Sequence, residues 1–489
     1  MTEELRLQIG QRLAVGFEGT TVPPELKDLI KKYKAGNIIY FRRNVESFEQ
    51  LKALCAELRR LIVAETGIEP YIMIDEECGS VSRLAHVAAQ TPSAMAIGAT
   101  GDVENAYRIG RLIGQELRSA GVNFNLAPVL DCMTNPAANN GNRCFSCIPQ
   151  EVAEYGKAYI RGVQEMGVLA CGKHFPGHGD TEVDSHLALP IVNKSEAQVR
   201  SQELVSFKAA IESGLQGIMT AHVVFPAMEP ERVPATVSRR LLTGLLREEL
   251  GFRGILLSDS MEMNAVKDLY GVEGGTLRAL AAGVDIALIC HDVPLAGRTC
   301  ELLYEAAADG RLPMDEIAAR YEHIVSCKKS LLPPEGGVEL FGGPDQQALA
   351  RQIMADSVRV LHAPEGKPLP RLDGGTLFLG LPAKAPSPAS DEVPLDAPSC
   401  LAAELGGRYV PLDQPMPDAD TAVVILTKHP DLDKAVAAAN ALAARGTRVI
   451  ALTMNVPLCL RGLTDDIWQA AAWQYDPLAL EAAAKFLKK

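Results

Sequence analysis

The segment CGKHFPGHGDTEVDSHLALP, at residues 171–190, carries the highest density of groups able to do chemistry. It contains three histidines, His174, His178 and His186, together with two aspartates, a glutamate and a lysine. A His-x₃-His zinc site presents both imidazoles from one face of a helix, but the proline and glycines of this segment are incompatible with a helix. We therefore expect a structured loop that holds no metal ion.

Asp184 and His186 form an Asp-x-His pair within this loop. A neighbouring carboxylate can hold an imidazole in one tautomer and orientation, while the other ring nitrogen exchanges protons with a substrate near neutral pH. The pair therefore predicts acid–base catalysis. In the alternative interpretation the histidines only hydrogen-bond the loop to itself, and for His178 this is equally expected.

Asp259 follows a buried apolar run in GILLSDSMEM. A carboxylate at the end of a barrel strand can attack an electrophilic carbon. Aspartate after a strand is also a common N-cap of the next helix. The residues alone leave both interpretations open.

Two further segments place polar groups beside apolar runs. Asp75 ends the run YIMID, and Arg83 follows eight residues later, a combination suited to sugar hydroxyl groups. Arg143 lies in a polar loop from which it can contact a ligand. Cys144 and Cys147 form a C-x-x-C that lacks the second pair of a zinc site, so chance spacing explains them.

Eight short apolar runs must position these groups, and amphipathic segments with helical spacing separate them. Runs that are apolar on both faces are typical of parallel strands buried on both sides. The pattern predicts an α/β fold with a closed (β/α)₈ barrel over about residues 1–330. The runs lie at 14–17, 37–41, 71–75, 124–131, 169–175, 217–222, 254–259 and 285–290.

Most of these runs end in a polar residue. The carboxyl ends of barrel strands share one rim, so residues distant in the sequence should converge there. Polar residues that merely begin loops would explain part of the pattern. The residues are Asp75, Asp131, Lys173, His174, His222, Asp259 and His291.

The composition of the sequence changes after about residue 330, where a proline- and glycine-rich linker begins. Apolar runs at 375–381, 421–427 and 447–454 then predict a small parallel α/β sandwich. We therefore predict a catalytic barrel over residues 1–335 and a second domain over residues 336–489.

Composition narrows the class of protein. The 489-residue chain has a net charge of −13, which disfavours binding to nucleic acid or to anionic membranes. Its eleven cysteines lack a disulfide framework, and neither a basic, apolar leader nor an apolar run of about 18 residues is present. These features predict a soluble cytoplasmic protein, a monomer or a homodimer, that acts on a small molecule or an oligosaccharide without a cofactor.

Taken together, the motifs resemble glycoside hydrolase family 3, in particular its bacterial β-N-acetylglucosaminidase branch. The resemblance rests on segments in the family's order that cover most of residues 10–330. They are NFNLAPVLD, GNRCFS, KHFPGHGDTEVDSH (173–186), the segment 220–252 and SDSMEM (258–263).

The resemblance implies a retaining β-N-acetylglucosaminidase that acts through a covalent glycosyl-enzyme on a substrate with a terminal N-acetylglucosamine, in the recycling of cell-wall fragments. Asp259 matches the family's nucleophile, and Asp184 with His186 matches the dyad that replaces the usual carboxylic acid/base. Five positions match the residues that bind the sugar: Asp75, Arg83, Arg143, Lys173 and His174.

Three positions depart from the family's usual motif. Cys78 and Ser80 stand where a glycine and an arginine are frequent, and Ser260 stands where a second acid is common. The catalytic trio is intact, but the exact sugar stays open. The alternatives are a phosphorylase, which a neutral imidazole permits because it does not repel phosphate, a β-glucosidase, and a catalytically silent sugar-binding protein.

Overall fold

The computed structural model describes residues 2–135, 138, 141–181, 189–334, 336–380, 382 and 395–488. The strands are β1 (Leu13–Val15), β2 (Asn37–Tyr40), β3 (Tyr71–Ile74), β4 (Glu76–Cys78), β5 (Val81–Ser82), β6 (Phe124–Asn125), β7 (Leu169–Phe175), β8 (Gly217–Thr220), β9 (Ile255–Ser260), β10 (Ile286–Ile289), β11 (Arg359–His362), β12 (Leu377–Gly380), β13 (Arg408–Tyr409), β14 (Thr421–Leu426), β15 (Arg448–Thr453) and β16 (Trp468–Ala471).

The helices are α1 (Glu3–Gly10), α2 (Pro24–Tyr33), α3 (Phe48–Thr66), α4 (Ala94–Ala99), α5 (Val103–Ala120), α6 (Pro149–Glu165), α7 (Glu196–Ser201), α8 (Glu203–Glu212), α9 (Asn264–Tyr270), α10 (Val272–Ala282), α11 (Val293–Ala308), α12 (Met314–Lys328), α13 (Pro344–Ser357), α14 (Ala397–Leu405), α15 (Leu432–Ala444) and α16 (Pro477–Leu487). A π-helical segment, Arg240–Glu249, precedes β9. No helix within the described ranges is long and apolar enough to cross a membrane.

Eight parallel strands close into a barrel in the order β1-β2-β3-β6-β7-β8-β9-β10, with β10 pairing back to β1. Each strand corresponds to one predicted apolar run, so the predicted barrel is confirmed. The runs are apolar on both faces because one face fills the barrel interior and the other packs under the outer helices. All seven residues of β7 are buried.

The outer helices α5 and α6 pack unusually close to each other. A Cβ atom at Gly110 would lie 2.3 Å from the Tyr159 carbonyl oxygen, and one at Gly162 would lie 2.3 Å from the Tyr107 carbonyl oxygen. Only glycine permits this approach of two helix backbones. Helix α6 also contacts β7, the strand that carries Lys173 and His174.

The second domain contains a six-stranded sheet in the order β11-β16-β15-β14-β12-β13. Its strands are parallel except β11, which pairs antiparallel with β16. The predicted α/β sandwich is confirmed, but its sheet is mixed and not entirely parallel. Strands β11, β13 and β16 were not predicted because each has partly exposed residues and lacks a long apolar run. The boundary between residues 335 and 336 stays a prediction.

Candidate active site at the mouth of the barrel

Lys173, near the end of β7, lies at the centre of a buried ion network. Its Nζ atom is 2.7 Å from Asp75 Oδ1 and 2.5 Å from Glu77 Oε1. Burial alone would lower the pKa of Lys173, but the two carboxylates outweigh it and raise that pKa above its ordinary value. The side chain is therefore a fixed ammonium donor at neutral pH.

Two arginines complete this network. Arg143 donates two hydrogen bonds to Glu77, from Nε to Oε2 (2.8 Å) and from Nη2 to Oε1 (2.7 Å). Arg83 places Nη2 3.6 Å from Asp75 Oδ2, because the β4–β5 hairpin turns the chain back over the strand end. Burial would raise the pKa of Glu77, but Arg143 and Lys173 hold it well below its ordinary value.

Glu77 was missed in the sequence, although it links two predicted sugar-binding residues. It lies two positions after Asp75, and side chains at i and i+2 of an extended chain point to the same face. That spacing was the available signal. Asp75 and Glu77 together form the acidic half of a site whose basic half is Lys173, Arg83 and Arg143.

Asp131 orients His174. Its Oδ2 atom is 2.8 Å from His174 Nδ1, and its Oδ1 atom accepts backbone N–H groups from His174 (3.1 Å) and His178 (2.8 Å). Burial would raise the pKa of Asp131, but the charge of His174 and these hydrogen bonds lower it. An ionised Asp131 accepts a hydrogen bond from Nδ1, which leaves Nε2 of His174 on the side of Asp259, 4.0 Å from Asp259 Oδ2.

Asp259 is presented at the end of β9 with its side chain 21% exposed. The Ser260 N–H group donates to Oδ1 of Asp259 (2.7 Å), while the Ser260 carbonyl oxygen lies 2.9 Å from Nε2 of buried His222. Helix α9 has Met263 as its N-cap, so the alternative that Asp259 caps the next helix is wrong. The carboxylate is thus partly exposed at the barrel mouth.

His178 is buried, and its Nδ1 atom lies 2.8 Å from Thr181 Oγ1. Burial and the charge of His174 lower the pKa of His178 to about 4, so its ring is neutral near pH 7. This geometry favours the interpretation in which His178 stabilises its own loop. Asp184 and His186 lie outside the described residues, and their acid–base role stays a prediction.

Of the other predicted groups, His291 lies at the rim with its ring centroid 5.0 Å from that of Phe41. Cys144 is buried and Cys147 is exposed, and both are free thiols. Within the part of the chain that the structure describes, no group of three or more His, Cys, Asp or Glu residues is placed to hold a metal ion.

Cys78, which stands where the family's motif often has a glycine, has a strained backbone conformation. Its backbone φ angle is 111°, in the region that favours glycine, and its side chain is buried. This explains why a glycine is frequent at this position of the motif. Cys78 nevertheless keeps the tight turn of the hairpin that carries Glu77 and Arg83.

A second carboxyl group of this hairpin, Glu76, is buried beneath it. The group contacts the Ser82 hydroxyl and accepts a hydrogen bond from the Leu84 N–H group (3.1 Å). Burial raises the pKa of Glu76 to about 8, so the carboxyl group is protonated at neutral pH.

The protein should therefore lose stability as the pH rises from about 5 to about 9, because the folded state holds a proton on Glu76 that the unfolded chain releases near its ordinary pKa. Glu76→Gln keeps an acceptor for Leu84 and a donor for Ser82. Over this interval, the free energy of unfolding of Glu76→Gln should fall less than that of the wild type, by up to about 4 kcal/mol. Urea unfolding at both pH values measures the difference. The exposed control Glu212→Gln should follow the wild type, and equal losses in Glu76→Gln and wild type would contradict a buried proton.

Comparison with known proteins identifies the family of this fold and site. Residues 4–327 match the model of the glycosyl hydrolase family 3 N-terminal domain. The chain is 34% identical over 366 residues to a β-hexosaminidase A of Pseudoalteromonas piscicida, an alignment that spans 68% of this chain and 60% of that relative.

Two solved structures extend the comparison. A family 3 β-N-acetylglucosaminidase from Paenibacillus sp. is 31% identical, with a TM-score of 0.88 and coverage of 100% of this chain and 97% of that one. NagZ from Neisseria gonorrhoeae, in complex with N-trifluoroacetyl-D-glucosamine, is 28% identical, with a TM-score of 0.58 and coverage of 71% and 97%. The chain belongs to glycosyl hydrolase family 3, a family of glycosidases.

Proposed function

We propose that the protein is a retaining β-N-acetylglucosaminidase that removes a terminal β-linked N-acetylglucosamine. The observation that carries the proposal is the partly exposed Asp259 carboxylate at the end of β9, on the same barrel rim as a buried network of cations and carboxylates. The likeness along the whole chain to a β-N-acetylglucosaminidase from Paenibacillus supports the choice of sugar.

The network suits the hydroxyl groups of one sugar ring. Carboxylates accept hydrogen bonds from hydroxyl groups, whereas Lys173 and the guanidinium groups donate to them. The ions hold one another in place before a substrate arrives, so little side-chain ordering remains to oppose binding. Lys173 is only 2% exposed, so a hydroxyl group that binds its ammonium group must leave bulk water.

In the proposed first step, Asp259 attacks the anomeric carbon as the bond to the leaving oxygen breaks, and His186 donates a proton to that oxygen. A covalent glycosyl-aspartate and a free alcohol result. In the second step, His186 takes a proton from water, the water oxygen displaces the aspartate, and N-acetylglucosamine leaves with its β configuration. Asp184 would hold the imidazole and stabilise its charged form.

Nitrophenyl β-glycosides of N-acetylglucosamine, N-acetylgalactosamine and glucose, assayed with and without phosphate, test this function. The N-acetylglucosaminide should have the highest kcat/KM, and the rate should not depend on phosphate. A phosphate-dependent rate with release of a sugar 1-phosphate would contradict hydrolysis. Preference for the glucoside would contradict the choice of sugar, and binding without turnover would contradict catalysis.

We also propose that the protein works in the cytoplasm on fragments of the cell wall. All eleven cysteines are free thiols, which supports a reducing compartment. The net charge of −13 fits an uncharged or oligosaccharide substrate better than a polyanion.

A further inference from the structure

The second domain contacts the loop that carries Arg143. The backbone carbonyl oxygen of Trp473, just after β16, accepts hydrogen bonds from Asn142 Nδ2 (3.1 Å) and from Ser93 Oγ (3.2 Å). Asn142 directly precedes Arg143 in the chain. One carbonyl group of the second domain thus binds two segments of the barrel mouth.

Gln474, the next residue, is buried and binds the same region. Its Oε1 atom accepts from the Ser93 N–H group (2.5 Å), and its Nε2 atom donates to the Thr91 carbonyl oxygen (3.4 Å). That carbonyl oxygen also accepts from the Gly79 N–H group (3.2 Å), at the tip of the hairpin that carries Glu77 and Arg83. The hydrogen bonds of Gln474 therefore reach the hairpin through residues 91–93.

The hairpin has little freedom to move relative to these residues. A Cβ atom at Gly79 would lie 2.7 Å from Ser93 Cα, so the two backbones are in tight contact. Asp476 adds a further link, since its Oδ2 atom accepts from Gln90 Nε2 (2.7 Å). Any displacement of residues 473–476 would be transmitted to the hairpin.

Apolar packing joins the domains at the same place. The hydrophobic core of the second domain continues without interruption into five buried residues of the barrel domain. Two of them, Val129 and Met133, flank Asp131, and a third, Cys144, follows Arg143. The five are Met95, Ala96, Val129, Met133 and Cys144.

The backbone of Trp473 is itself held in an uncommon conformation. Its φ angle is 61°, in the left-handed region that a bulky residue rarely adopts. The indole Nε1–H group donates to the Ser357 carbonyl oxygen (2.7 Å), which fixes the side chain within the second domain. This conformation turns the Trp473 carbonyl oxygen toward the barrel domain.

We infer that the second domain completes the sugar-binding pocket, because residues 473–476 fix the positions of the Arg143 loop and of the hairpin that carries Glu77 and Arg83. The inference rests on the proposed function, in which these groups bind the sugar. Asn142 and Gln474 are positioning residues: they hold the loops that carry the binding groups. Loosening them should weaken sugar binding while leaving Asp259, on the opposite part of the rim, in place.

The test uses full-length Asn142→Ala and Gln474→Ala, assayed on the nitrophenyl glycoside that the wild type turns over best. We expect KM to rise about 10-fold or more in each, with kcat within about threefold of the wild type. The matched control is Asn440→Ala, which removes an amide hydrogen bond to the Gly462 carbonyl oxygen elsewhere in the second domain (2.9 Å). Its KM should equal that of the wild type.

An unchanged KM in folded Asn142→Ala and Gln474→Ala proteins, checked by circular dichroism below the melting temperature, would overturn the inference. If Gln474→Ala does not fold, Asn142→Leu decides the question, because leucine is close to asparagine in size and removes the donor to Trp473 without adding a charge. A raised KM for Asn142→Leu supports the inference, and an unchanged KM overturns it. Since the best wild-type substrate is used, a wrong choice of sugar would affect the proposed function and leave this test intact.

Discussion

Asp259→Ala should lower kcat on a nitrophenyl N-acetylglucosaminide by a factor on the order of 10³ or more. The carboxylate both forms the covalent bond and stabilises the positive charge of the oxocarbenium-like transition state. The imidazole of His174, whose Nε2 atom lies 4.0 Å from Asp259 Oδ2, cannot replace the carboxylate in both roles. Steady-state kinetics of the purified variant measures the loss.

Azide distinguishes a lost nucleophile from a damaged site. In Asp259→Ala, azide can enter the space of the missing carboxylate and displace the leaving group in one step, which inverts the anomeric carbon and yields an α-glycosyl azide. Exposed Asp268→Ala, on α9, is the matched control and should retain wild-type kcat. Near-normal turnover in a folded Asp259→Ala protein would refute the assignment of the nucleophile.

His186→Ala should have the second largest effect, and the effect should depend on the leaving group. A basic leaving group needs a proton in order to depart, so the rate on such substrates should fall by a factor of about 10² to 10⁴ relative to the wild type. An activated dinitrophenolate departs without protonation, so bond cleavage should be nearly normal, but the covalent intermediate should accumulate because no base activates water. A burst of phenolate followed by slow turnover is the expected signature.

An anion that needs no base should restore turnover of His186→Ala on the activated substrate. Azide would attack the covalent intermediate from the face opposite Asp259 and yield a β-glycosyl azide, the opposite anomer from that of Asp259→Ala. Asp184→Ala should show the same dependence on the leaving group in milder form, since the imidazole remains. Equal losses for good and poor leaving groups, without azide rescue, would place the proton donor elsewhere.

The barrel was predictable because burial on both faces leaves a strong local signal. A strand such as β7 must be apolar along its whole length, and eight such runs separated by amphipathic helices favour one closed arrangement. Local sequence also placed polar groups at the strand ends, where the parallel direction of the strands brings them to one rim.

The ion network was only partly predictable. Asp75, Lys173, Arg83 and Arg143 were proposed as sugar-binding residues, but their pairing through Glu77 depends on distances between segments up to 98 residues apart in the chain. The β4–β5 hairpin reverses the chain within a few residues, which no hydrophobic periodicity marks. In the sequence, Asp131 has no feature that distinguishes it from the other strand-end residues. Only the fold places its Oδ2 atom 2.8 Å from His174 Nδ1.

The barrel strands, the helices between them and the types of group at the rim follow from local sequence, because burial and backbone propensity act on neighbouring residues. The contacts among those groups, and between Trp473 or Gln474 and the barrel loops, arise only when the tertiary structure brings distant segments together. A hydrogen bond or an ion pair requires that two groups lie within a few ångströms of each other and in a suitable orientation. The spacing of residues along one segment encodes neither this distance nor this orientation.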